Sequence, residues 1–265
     1  LLRFLGTACL AYLLFVAGLY ALQRRLLYHP DRSAPSRMAA GLEAMGEIRI
    51  RTADGVEIAA WYRPAQGSRG ALVYLHGNAG NLASLGAKLK PYLAAGFGVL
   101  AIDWRGFGAS QGQPTEEGLY EDGRAALDFL NGQGVALGRI AIHGESLGSG
   151  VATKLGAERK LAALILEAPF TSVAEAAQLH YPYVPAKWLV KDRFDSLARI
   201  QDIQAPLLIL HGEMDQTVPV EHGKRLLAKA GGKAEGVFYE KGGHADLFDL
   251  GAAREAIRFL EKRGM

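Results

Sequence analysis

The chain has 265 residues, 49% hydrophobic and 22% charged, a composition that excludes intrinsic disorder for most of its length. Its 33 glycines lack a three-residue period, which excludes a collagen-like fibre; its one cysteine, Cys9, excludes an internal disulfide and a cysteine-built structural zinc site. The net charge of +3 belongs to residues 1–45, where five arginines face Asp31 and Glu43; the remainder is neutral, with 25 charges of each sign, which argues against a nucleic-acid-binding domain.

The first element is an apolar helix. Phe4 to Leu22 carry no charge, and as a helix they span roughly 28 Å, close to the hydrocarbon thickness of a bilayer. A cleaved signal peptide has a shorter apolar run and a small-residue cleavage site; here the run passes straight into Gln23-Arg24-Arg25. Residues 1–23 are therefore expected to form a single-pass membrane anchor. Four arginines follow the run and one precedes it, which favours a cytoplasmic C-terminal domain. Residues 24–45 carry Pro30 and Pro35 without periodicity and read as a linker.

About 220 residues remain, enough for one α/β domain. Strand-like runs at 47–51 and 56–62 flank the turn pair Asp54-Gly55 and predict a hairpin. Further strands are expected at 71–75, 97–102, 139–143, 161–166, 207–210 and 236–239. Helical stretches fall between and after them, at 81–95, 115–131, 147–157, 220–230 and 249–263. Such alternation predicts a mostly parallel eight-stranded sheet with helices on both faces. Residues 170–200, rich in aromatics and proline, interrupt it and read as a short lid insertion.

The chemistry is concentrated at one end of this sheet. Gly144-Glu145-Ser146-Leu147-Gly148 follows a strand and opens a helix, the context a Gly-x-Ser-x-Gly nucleophile elbow requires. The sharp turn projects the Ser146 hydroxyl at a helix N-terminus, where free N–H groups favour a developing anion. A serine hydroxyl needs a base. Of seven histidines, His244 in Gly242-Gly243-His244-Ala245-Asp246 follows the last strand and is the best placed; His143 and His211 read as structural. Asp215, in the loop after strand 207–210, is the expected acid behind His244, with Glu167 as runner-up. The loop His76-Gly77-Asn78-Ala79-Gly80-Asn81 leaves its backbone accessible. The N–H groups of Asn78 and Leu147 are expected to bind an oxyanion, with His76 structural.

These segments, together with Asp103-Trp104-Arg105-Gly106-Phe107-Gly108-Ala109-Ser110 and His211-Gly212-Glu213-Met214-Asp215, resemble the α/β-hydrolase superfamily over residues 46–265. The asparagine in the oxyanion loop, the short insertion and the apolar N-terminus look like one branch, the membrane-anchored serine hydrolases related to protein depalmitoylases. The resemblance implies an α/β-hydrolase fold with a Ser146–Asp215–His244 triad. It also implies that Asp103, Arg105 and Ser110 are structural. The function expected is hydrolysis of an ester or thioester, on a small molecule or an acylated protein, through an acyl-enzyme and with no metal or organic cofactor. A peptidase of the same fold and a catalytically inactive, membrane-tethered binding module are the rivals. Tyr181 and Trp188 of the insertion are expected to bind the acyl group.

Overall fold

The short aliphatic runs form one eight-stranded sheet, seen in a computed structural model that describes residues 2–265. Its strands are β1 (Gly46–Arg51), β2 (Glu57–Arg63), β3 (Ala71–Leu75), β4 (Gly98–Ile102), β5 (Ile140–Glu145), β6 (Ala163–Glu167), β7 (Leu207–Gly212) and β8 (Ala234–Tyr239), in the spatial order β8-β7-β6-β5-β3-β4-β2-β1. β2 runs antiparallel to both β1 and β4, and every other pairing is parallel. The chain passes from β3 over to β4 and back to β5. That reversal of winding opens a crevice at the carboxyl ends of the central strands, where α/β sheets place their ligands.

Strand periodicity splits the core in two. In β3, Ala71, Val73 and Leu75 point to one face and Leu72 and Tyr74 to the other, all buried. The first face is covered by α3 (Glu116–Gly132), α4 (Leu147–Glu158) and α5 (Glu221–Ala230); the second by α2 (Gly86–Ala94) and α6 (Ala252–Glu261). Each buried aliphatic side chain contributes roughly 1.5–3 kcal/mol, so both faces must be covered for the sheet to hold.

The N-terminal apolar helix α1 spans Leu2–Leu27, four residues beyond the expected anchor. By length and composition it can cross a membrane: its most apolar window has a mean hydropathy of 2.0, with none of that window buried in the protein. The expected linker is not a free tether. Tyr28 is buried, His29–Pro30 pairs in parallel with Ala79–Gly80, and a short helix at Arg37–Ala40 seats Ala40, Leu42 and Met45 in the second core. That helix is capped by the Ser36 side chain and ends on Gly41 at φ 64°, in the left-handed region. The segment shows no periodicity because a few separate side chains, rather than a continuous face, fasten it.

The loop after β4 has the structural role that the resemblance implies. The Ser110 hydroxyl donates to the Asp103 carbonyl and accepts from the Ala59 N–H. Arg105 spans Asp122 and Asp54. The Asp103 carboxyl accepts from the Leu82 N–H at 2.8 Å, and its other oxygen faces Gly108 so closely that a Cβ there would lie 1.9 Å away. Burial pushes Asp103 up to about 7, and burial pushes its neighbour His76 down to about 4. Both side chains are thus kept neutral near pH 6.

The raised pKa of Asp103 makes its contribution to stability pH-dependent. The fold favours the protonated acid, so its contribution to stability is greatest below the ordinary value of 3.8 and is lost as pH rises towards 7. Asp103→Asn keeps the acceptor for Leu82 and cannot ionise. The melting temperature of this variant is expected to fall less between pH 5 and pH 8 than that of the parent, by the equivalent of about 1–3 kcal/mol. Equal slopes in thermal melts across that range would refute a neutral Asp103.

Candidate active site

Ser146 sits where β5 hands over to α4. Its backbone is at φ 48°, ψ −112°, and its N–H donates to the Glu167 carbonyl at 2.8 Å. The flanking glycines are sterically required: a Cβ on Gly148 would lie 2.0 Å from the Leu75 carbonyl oxygen, and one on Gly144 would lie 2.4 Å from that of Gly148. The tight turn brings the end of β3, the end of β5 and the start of α4 together, and Ser146 is held at their junction.

His244 lies in the loop after β8, and Asp215 in the loop after β7. His244 Nε2 is 3.0 Å from Ser146 Oγ, and its Nδ1 is 2.7 Å from Asp215 Oδ2. The other oxygen of Asp215 accepts from the Thr217 and Val218 N–H groups, both at 2.8 Å. Burial raises the Asp215 pKa, but hydrogen bonds from His211, His244 and Val218 outweigh it and hold the carboxyl well below its ordinary range. The three residues thus form a continuous hydrogen-bonded chain with an ionised carboxylate at its inner end. Such a chain can carry a proton from the hydroxyl to the imidazole and stabilise the resulting cation.

Five other histidines are held by other groups, His211 also by Asp215 at 3.4 Å. His143 lies between Tyr92 and Glu167, His211 meets the Val218 carbonyl, and His222 accepts from Thr171. His180 meets the Thr217 carbonyl, and His76 meets that of Gly77. His29 is exposed in the two-residue strand beside Ala79–Gly80. Glu167, the runner-up acid, is fully buried against Lys88 and His143 and does not contact His244. Burial raises its pKa, and His143 and Lys88 reverse that and keep it ionised.

Asn78 and Leu147 line the same cavity as Ser146. Leu147 is the first residue of α4, so its N–H has no partner within the helix. Among the described residues the Asn78 N–H also lacks an acceptor, while the Asn78 carbonyl accepts from His29 and its side-chain amide donates to the Leu27 carbonyl. The segment from Leu27 to Asp31 therefore positions the loop that carries Asn78, an arrangement with no sequence signature.

The cavity is about 530 Å³ and mostly apolar. Tyr181 lines it, with Phe170, Val173 and Leu189 of the insertion. Trp188 does not. Its short helix, Ala186–Leu189, turns Ala186 and Leu189 inward at a three-residue spacing, and that leaves Trp188 84% exposed over a separate depression. The expected acyl-binding role of Trp188 is thus corrected. The opposite wall comes from α1, through Val16, Leu19, Tyr20 and Gln23, residues that sequence patterning could not single out from a run in which nearly every side chain is apolar. Among the described residues no cluster of His, Cys, Asp and Glu suits a metal ion.

Known proteins resemble this chain in sequence and in fold. The hydrolase family described as "Serine aminopeptidase, S33" matches residues 66–197. An uncharacterized protein of Mycobacterium tuberculosis is 39% identical over 249 residues, covering 92% of this chain and 88% of the relative. The alpha/beta hydrolase domain-containing protein WAV2 of Arabidopsis thaliana is 31% identical, covering 93% and 90% respectively. Lysophosphatidylserine lipase ABHD12 of Danio rerio is 37% identical over 63% of this chain and 49% of its own length. Among solved structures, the Pyrococcus furiosus esterase Pf2001 superposes with a TM-score of 0.72 at 22% identity, covering 89% of this chain and 98% of the esterase. That likeness concerns the fold.

Proposed function

The chain belongs to the α/β-hydrolase superfamily, and from that premise we propose that it is a membrane-anchored serine hydrolase of carboxylic esters or thioesters. The observation that carries this reading is the hydrogen-bonded chain Ser146–His244–Asp215 opening into an apolar cavity. Ser146 Oγ attacks the acyl carbonyl while His244 Nε2 takes its proton. The N–H groups of Asn78 and Leu147 receive the oxyanion. Collapse of the tetrahedral intermediate expels the alcohol or thiol, protonated by His244, and leaves the acyl group on Ser146. Water, deprotonated by His244, then attacks the acyl-enzyme, releasing the acid and restoring the serine. Asp215 holds the His244 tautomer throughout, and its low pKa keeps it ionised at neutral pH.

A peptidase is the rival raised by the name of the matching family. An aminopeptidase must pair its substrate's amino group with a free carboxylate. Among the described residues lining the cavity the only carboxylate is Asp192, already engaged by Arg24 and Tyr28. The apolar walls suit an acyl chain better. Membrane attachment rests on α1, and the arginines after it favour a cytoplasmic catalytic domain.

Ser146→Ala is expected to lower turnover of p-nitrophenyl esters by about 10⁴-fold or more and to abolish fluorophosphonate labelling, with little change in melting temperature. Retained labelling or full activity would sink the mechanism, and an unlabelled parent would favour the binding-module reading. Asp215→Asn is expected to cost roughly 10³–10⁴-fold through loss of the His244 tautomer. Glu167→Gln is expected to remain within about 10-fold in rate yet to melt lower, because Lys88 loses its buried partner. The reverse ranking in steady-state kinetics would move the acid to β6. The full chain is expected to stay in the membrane pellet through carbonate washing and to need detergent for release; recovery in the soluble fraction would refute the anchor.

A further inference from the structure

The apolar cavity beside Ser146 has an unusual wall. Val16, Leu19, Gln23 and Leu27 of α1 form a stripe at helical spacing that turns towards the domain, and each is only half-buried. The cavity follows this stripe. From Leu27, beside the Asn78 loop, to Val16 the helix rises roughly 16 Å, about half of a bilayer's hydrocarbon core. That is the depth of one leaflet, and so the reach of one membrane acyl chain.

The helix is fastened to the insertion that forms the other wall. Arg24 pairs with Asp192 through two bonds of 2.8 and 3.1 Å, and Tyr28 reaches the same carboxylate. Gln23 accepts from the Lys191 N–H at 2.7 Å. Further towards the N-terminus, Tyr12 donates to the Tyr183 carbonyl at 3.0 Å and Phe15 packs on the Tyr183 ring. Leu179, Tyr183 and Trp188 of that insertion are exposed, the residue types favoured at a lipid surface. Arg24 and Arg25 mark where the apolar run ends; in a membrane-anchored chain they would lie at the membrane–water interface, with the Ser146 end of the cavity beside them and its far end among the lipid chains.

We propose that α1 is one wall of the acyl-chain site, and that the cavity takes the chain sideways from the bilayer. The substrate is then a long-chain ester or thioester whose chain lies in the leaflet and whose carbonyl lies at the interface. The proposal rests on the serine-hydrolase reading and adds to it a substrate class and a route of entry. An acyl lipid and an S-acylated protein present this same chemistry.

The test uses the full chain in phosphatidylcholine vesicles, with p-nitrophenyl esters from acetate to palmitate. Leu19→Trp and Val16→Trp fill the cavity at two depths. Leu14→Trp, on the exposed side of the same helix, is the control. In the parent, kcat/KM is expected to rise with chain length. Leu19→Trp is expected to lower the palmitate-to-acetate ratio of kcat/KM by about 10-fold or more, since each displaced methylene removes its share of apolar burial. Val16→Trp, further from Ser146, is expected to curtail only the longest chains, and Leu14→Trp to follow the parent profile. Fluorophosphonate labelling of each variant reports a folded site. A parent that does not label would bring down the hydrolase reading itself. Labelled variants whose chain-length profiles match that of Leu14→Trp would overturn this inference alone. Competition by a monoacyl phospholipid or by an S-palmitoyl peptide in the same vesicles identifies the carrier of the chain, and competition by neither overturns the proposal.

Discussion

A serine held at φ 48° and ψ −112° occupies backbone space that L-residues rarely enter, at a cost of order 1–3 kcal/mol. The surrounding structure leaves it no alternative. Its N–H is tied to the Glu167 carbonyl, and the glycines on either side let β3 and the first turn of α4 approach to distances that any Cβ would forbid. That one strained position determines the rest of the site. It sends the hydroxyl towards the loops after β7 and β8, where Asp215 and His244 wait, and it sets the first N–H of α4 beside the Asn78 loop.

The elbow is supported from behind by buried charge. Lys88 reaches both Glu145 and Glu167, the last residues of β5 and β6. Glu167 also meets His143, whose second nitrogen meets the Tyr92 hydroxyl, and Glu145 accepts from Tyr74 at 2.7 Å. Phe248 lies under the Lys88 ammonium, 4.4 Å from the ring centroid. Ions this deep are tolerated only when fully paired, and an apolar substitute for a whole buried set is often no less stable. What the pairing adds is position. Glu145 directly precedes Ser146, and the Glu167 carbonyl receives the Ser146 N–H, so the network holds both strand ends on which the strained serine hangs.

How much of this was legible in the sequence follows from the range of the forces involved. The strands could be read because each buried run is short, aliphatic and bounded by turns. The elbow could be read because its glycines are a local steric demand, which leaves a local trace. Asp215 and His244 could be placed because each follows a strand at the same sheet end. Other features depend on contacts between distant segments and leave no such trace. Tyr28, Leu42 and Met45 fasten residues 28–45 to the domain by isolated side chains, so the segment read as a linker. Trp188 and Tyr181 looked equivalent in composition, and only the short helix at Ala186–Leu189 turns one of them away from the cavity. Within α1 the stripe Val16, Leu19, Gln23 and Leu27 was hidden because apolar residues lie on every side of it.

The last turn of α1 links that helix to the reacting centre. The final carbonyls of any helix lack intrahelical partners. Here the Leu27 carbonyl takes the side-chain amide of Asn78 at 2.8 Å, and the His29 N–H returns to the Asn78 carbonyl at the same distance. The residue proposed to supply one oxyanion donor is therefore also the residue that closes the end of the apolar helix. Arg24, one turn earlier, is held by a buried carboxylate of the insertion, so the helix cannot slide along the domain without breaking a charged pair. In the proposed membrane-anchored hydrolase, a flexible tether would leave the height of Ser146 above the bilayer free to vary. In that reading these bonds instead tie the height to the point where the apolar run gives way to arginine, the depth proposed here for the substrate carbonyl.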